Sequence, residues 1–208
     1  MDQVALRKKL ENFWYYYKWH TLGGLFLIAT VLVAIHSCRM RVNPDLYLLY
    51  MRDETPISAQ TAELEGWLSA MVEDINEDGE KTARVMSYSR SNMWNGDDSA
   101  AMVVQVNAGD AVLYLVSETT YNTLHQNGVL QDLSALGKSP YLEGDRYNIS
   151  DSGILKELEY FESDTDRLYL CVRKVAGTSF EKDPRYLAQE KQAQKVLKTI
   201  ISKEKSES

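Results

Sequence analysis

From Thr21 to Ser37 the chain carries no Asp, Glu, Lys or Arg. No other stretch restricts the fold as strongly. At ~1.5 Å per residue a helix over these positions covers roughly 26 Å, close to a hydrocarbon core of ~30 Å. Backbone at that depth has to satisfy its own hydrogen bonds, which favours helix despite the β-branched Ile28, Thr30, Val31, Val33 and Ile35. Trp14, Tyr15, Tyr16, Tyr17 and Trp19 cluster on one flank, where amphipathic rings suit the headgroup zone. The expectation is a single transmembrane helix over 21–38, preceded by a basic, aromatic interfacial segment over 1–20.

Charge sets the expected orientation. Arg7, Lys8, Lys9 and Lys18 precede the apolar run, and Arg39 and Arg41 follow it. The more basic side stays in the cytoplasm. This predicts a single-pass cell-membrane protein with its C-terminal domain outside. Ile35-His36-Ser37-Cys38 also partly resembles the lipobox of bacterial lipoproteins. The alternative is therefore a cleaved signal with lipidation at Cys38.

Composition enters when the remainder is weighed. Residues 1–43 hold six Lys and Arg against two Asp and Glu, whereas residues 44–208 hold 17 against 28. So acidic a body argues against nucleic acid as a partner. Its length suffices for one globular domain, expected over 44–203. Cys38 and Cys171 are the two cysteines, too few for a disulfide scaffold.

Pro44 ends the first helix, and Asp45–Arg52 reads as a strand whose nearly continuous apolar run suits burial on both faces. Ser58–Gly79 reads as a helix, with Leu64, Trp67, Leu68, Met71, Val72 and Ile75 at helical spacing and Gly79 as its stop. Strands are predicted over 83–89, 111–117 and 167–176, and helices over 98–108 and 121–127. A last helix is predicted from Asp183-Pro184, an N-cap followed by proline at the first helical position. Residues 137–166 read as loop-rich. Alternating strands and helices joined by short turns predict an α/β fold, with one parallel sheet in three layers.

The stretch Asn107-Ala108-Gly109-Asp110 feeds the predicted strand Ala111–Ser117, and Asn127-Gly128-Val129-Leu130-Gln131-Asp132-Leu133-Ser134 follows a short helix with Tyr121 and Leu124. This pattern resembles the first lobe of extracellular solute-binding proteins with the type 2 periplasmic-binding-protein fold. The resemblance implies a lobe whose relatives bind solutes between two lobes; here only the first is matched. Phe13–His20 is also similar to the N-terminal motif of small membrane-anchored proteins of Firmicutes.

No catalytic motif is visible. There is no G-x-S-x-G elbow, P-loop or G-x-G-x-x-G, and His20, His36 and His125 are scattered. Asp74, Asn76, Asp78 and Gly79 match the opening of a calcium loop, but position twelve is Val85 and cannot ligate. A polar turn explains the same residues without metal. Open α/β sheets gather ligands at the carboxyl ends of their strands. That rule nominates Arg52, Asp53, Arg90, Asn92, Trp94, Ser117 and Tyr121 as ligand- or partner-binding residues. The reading is a non-enzymatic, membrane-anchored interaction domain without cofactors. Its expected partners are the bilayer through 21–38, a membrane protein and, alternatively, a small solute. A structural or assembly role acting through the span is the other alternative.

Overall fold

A computed structural model describes residues 3–39, 43–54, 56–89, 106, 109–161 and 166–207, with side chains over 14–33 in the first segment and to 204 in the last. The chain divides into two units, Met1–Asn43 and Pro44–Ser208.

The first unit is one helix, α1 (Gln3–Arg39). It runs unbroken through Gly23-Gly24 and joins the two segments expected over 1–20 and 21–38. Leu22, Leu25, Phe26, Leu27, Ile28, Val31, Leu32 and Val33 are between 48% and 73% exposed. Among the described residues no helix is long and apolar enough to cross a membrane. The expected span is therefore not carried by the structure. Within the described side chains the uncharged stretch covers 21–33, about 20 Å of helix against a core of ~30 Å. Residues 34–38, including Cys38, lie outside the described side chains.

The second unit is built on a six-stranded sheet: β1 (Leu46–Arg52), β2 (Ala83–Ser89), β3 (Leu113–Ser117), β4 (Leu142–Glu143), β5 (Arg146–Asn148) and β6 (Leu168–Val172). The strand order is β2-β1-β3-β6-β5-β4. β1 runs parallel to both β2 and β3. The other three pairings are antiparallel, so the sheet is mixed, a correction to the expected parallel sheet. A parallel neighbour requires a crossover that returns the chain to the starting end. Here the chain re-enters from the other end, and Leu168 at the start of β6 pairs with Ser117 at the end of β3. β4 and β5 form a hairpin inside the stretch expected to be loop.

Both faces of the sheet are covered, which explains the continuous apolar runs in β1, β3 and β6. On one face Leu46, Leu48, Tyr50, Leu113, Leu115, Leu168 and Leu170 pack with α2 (Ser58–Ser69) and with Ala193, Val196, Leu197 and Ile200 of the last helix. On the other, Leu49, Met51, Tyr114, Val116, Tyr169 and Cys171 pack with Tyr121 and Leu124 of α3 (Glu118–Gln126). The last helix, α4, spans Pro184–Glu207, and Asp183 Oδ1 accepts from Arg185 N at 3.0 Å at its start.

α2 stops at Ser69, ten residues before the expected Gly79. Beyond it the chain is anchored by Asp45, the residue just before β1. The buried Asp45 carboxylate accepts from the backbone amides of Ile75 (2.7 Å), Asn76 (3.3 Å) and Thr82 (2.9 Å). Those amides are thereby held in a turn instead of a helix, and Gly79 sits in it at φ +88°. The helix expected over 98–108 lies outside the described residues apart from Val106, which is helical and buried.

Candidate functional site

The parallel register brings the nominated strand ends together: Arg52 pairs with Ser89, and Met51 with Val116 next to Ser117. Their side chains turn on one another. Arg52, 9% exposed, donates to the Asp166 carboxylate and, through Nη1, to Tyr50 Oη at 3.4 Å. Thr119 Oγ1 donates to Asp53 Oδ2 at 3.3 Å, and Ser89 Oγ donates to the Asp53 carbonyl at 3.2 Å. Ser117 Oγ donates to Thr120 Oγ1 at 3.3 Å. Among the described residues, these strand-end side chains thus bond to one another through an ion pair and hydrogen bonds of 3.2–3.4 Å. Arg90, Asn92 and Trp94 lie outside the described residues.

Asp74, Asn76 and Asp78 share the turn after α2. Their side-chain oxygens accept from backbone amides: Asp74 from Asp78 and Gly79, Asn76 from Asp78, and Asp78 from Glu80, at 2.9–3.2 Å. Val85, at the twelfth position, is buried on β2. Among the described residues no group of three or more His, Cys, Asp or Glu is placed to hold a metal ion.

Tyr121 belongs elsewhere. It lies with His125 one turn apart on α3, so the two rings meet, with centroids 5.5 Å apart. The β4–β5 turn brings Asp145 onto both. Tyr121 Oη donates to Asp145 Oδ1 at 2.8 Å, and His125 Nδ1 lies 2.7 Å from Asp145 Oδ2. A carboxylate only accepts, so His125 Nδ1 carries a proton and donates to it. The Asp145 side chain is 15% exposed and that of His125 57%, so the imidazole is held from behind and open in front.

Arg146 completes the cluster. Its guanidinium lies 4.9 Å from the Tyr121 ring centroid and 5.0 Å from that of Tyr169, and Nη2 donates to Glu143 Oε2 at 2.5 Å. The Glu143 carboxylate favours the charged guanidinium and raises the Arg146 pKa. Burial, and then the hydrogen bond to Asp145, push the Tyr121 phenol well above its ordinary range. Across the opening, Asp132 accepts from Ser134 N (2.9 Å) and Ser134 Oγ (2.6 Å), which lower its carboxyl pKa.

Together these residues line a groove of about 630 Å³ with Asn122 and Leu130 in its walls. It is open, and its charged lining residues are predominantly acidic, with Asp132, Glu143 and Asp145 against Arg146. Among the described residues His125 hydrogen-bonds only Asp145 and Tyr121, so no serine or cysteine nucleophile stands against the imidazole. Of the nominated residues that are described, only Tyr121 lines it. The i,i+4 pairing of Tyr121 with His125 was readable in the sequence; the arrival of Asp145 and Arg146 was not. Comparison with protein-family models, curated proteins and solved structures finds no match to this chain.

Proposed function

We propose that this chain is a non-enzymatic, membrane-tethered binding protein whose α/β domain works outside the cytoplasm. α1 and the apolar run through residue 38 are the tether, and the basic N-terminal side stays inside. The domain meets its partner at the groove between α3 and the β4–β5 hairpin. The observation that carries this reading is the Tyr121–His125–Asp145–Arg146 cluster. It presents a fixed imidazole, an amide, two exposed carboxylates and a guanidinium around one concavity. The resemblance to a solute-binding lobe belongs to the proposal. With a single lobe, a ligand binds in a surface groove and not between closing domains. A membrane-protein partner is preferred to a free solute, because a tethered domain shares its plane with such partners.

Photocrosslinking from membranes tests this. A photoreactive residue at Asn122 in the groove is compared with one at Lys191 on α4, whose helix covers the opposite sheet face. The expected result is one discrete adduct from position 122 and none from 191. Equal capture at both positions, or capture at 191 alone, removes the groove from the proposal. The second reading, an assembly factor acting through α1, is favoured by that helix's exposed apolar side chains. It predicts that exchanging residues 14–38 for an unrelated span abolishes partner recovery while Asn122 substitutions leave it intact.

A further inference from the structure

From Leu22 to Val33 α1 is apolar on every side. Successive residues on a helix point ~100° apart, so Leu25, Phe26, Leu27 and Ile28 face four different directions. All four are more than half exposed. A helix beside water keeps a polar face, and one apolar all round needs apolar surroundings throughout. The remaining question is whether lipid or another helix supplies them.

Helix–helix contacts in membranes rely on small residues four apart or on polar side chains that bond across the interface. Neither device is available between Leu22 and Val33. Gly23 and Gly24 are followed four residues on by Leu27 and Ile28. Thr30 is the one residue of this stretch with a polar side chain, and its Oγ1 donates to Phe26 O of the same helix at 2.8 Å. At the other end Trp14, Tyr15, Tyr16, Tyr17 and Trp19 are 53–75% exposed, with the Lys18 ammonium 6.0 Å from the Tyr15 ring centroid. Rings of this kind settle at the headgroups. Val33, roughly 21 Å further along the axis, then lies beyond the middle of a ~30 Å core.

We infer that the α1 surface from Leu22 to Val33 is covered by lipid acyl chains on all sides, with Trp14–Trp19 in the headgroup layer, so that no second helix packs against this stretch. This rests on the membrane-tether reading. The test uses the full chain in phosphatidylcholine–phosphatidylglycerol vesicles. Flotation comes first. In a W14F/W19F background, Leu25→Trp, Phe26→Trp, Leu27→Trp and Ile28→Trp are then compared for fluorescence quenching by acyl-brominated lipids, after subtracting the signal of the W14F/W19F parent. Quenching of all four within twofold of one another, stronger for deeply brominated chains, is the expected result, with Trp19 of a separate W14F variant quenched best by shallow bromines. Floating protein in which one or two adjacent faces resist quenching overturns the lipid assignment alone and points to a second copy or another helix. Protein that fails to float overturns the tether reading and this inference with it.

Discussion

His125 Nδ1 and Asp145 Oδ2 stand 2.7 Å apart, and the same carboxylate takes the Tyr121 hydroxyl on its other oxygen at 2.8 Å. One side chain in a hairpin turn therefore clasps two successive turns of α3. Hydrogen bonds to a charged acceptor contribute about 1.5–3 kcal/mol when protected, and less when one partner faces water, as His125 does. Asp145→Asn is expected to destabilise the full chain by about 1 kcal/mol. A double-mutant cycle with Tyr121→Phe, read by urea unfolding, should give a coupling of about 0.5–1 kcal/mol. Strict additivity would mean that the clasp does not act as a unit.

Asp45 is the heavier structural element. It is fully buried and accepts three backbone amides from the turn that ends α2. Asp45→Ala leaves those donors without an acceptor and is expected to lower stability by about 3 kcal/mol or more. Asp45→Asn keeps one acceptor and should fall between. Amide exchange of Ile75, Asn76 and Thr82 gives a local readout: it should accelerate in Asp45→Ala before global unfolding does. Unchanged protection would contradict the role assigned to Asp45.

The Tyr114 hydroxyl is buried and, among the described residues, has no hydrogen-bond partner. An unsatisfied polar group at such a site costs roughly 1–3 kcal/mol. Removing it while keeping the ring should be neutral or stabilising. Tyr114→Phe is expected to raise the melting midpoint slightly, by up to about 1 kcal/mol in stability. A clear loss would show that the hydroxyl has a partner, for example an ordered water.

Alkaline pH should unfold the domain early. Burial is the leading cause of raised phenol pKa values at Tyr114, Tyr121, Tyr147 and Tyr169. A folded pKa above the unfolded one means that the native state keeps protons the unfolded chain has released. The associated stability is complete below the ordinary tyrosine pKa of ~10 and falls as pH rises from there toward the folded values. Unfolding midpoints should be insensitive to these groups at pH 7–9 and drop above pH ~10. Phenolate absorbance should then appear together with loss of structure. Ionisation of these rings in a still-folded domain would refute the assignment.

Much of the architecture was legible locally. The strands at 46–52 and 83–89 and the helix beginning at Asp183-Pro184 follow from apolar runs, alternation and capping chemistry, which depend on residues a few positions apart. The same locality explains the misreadings. An apolar run such as Leu168–Val172 marks a buried strand but carries no sign of its direction, so the antiparallel β6 was invisible. The apolar spacing of Met71, Val72 and Ile75 continued a helical pattern, yet α2 ends at Ser69 and the Ile75 amide is taken by the carboxylate of Asp45, thirty residues earlier.

The site divides in the same way. Tyr121 and His125 share a helix face by spacing alone, and the all-round apolar character of Leu22–Val33 is written in its composition. The sequence by itself thus determined where apolar surface, turns and caps fall, because those are properties of neighbouring residues. Only the tertiary structure decided that Asp145 and Arg146 meet Tyr121, that Arg52 is held by Asp166, and that β6 runs against β3. Each of these joins residues far apart in the chain, and such pairs form only when burial of both sheet faces fixes the path of the intervening backbone.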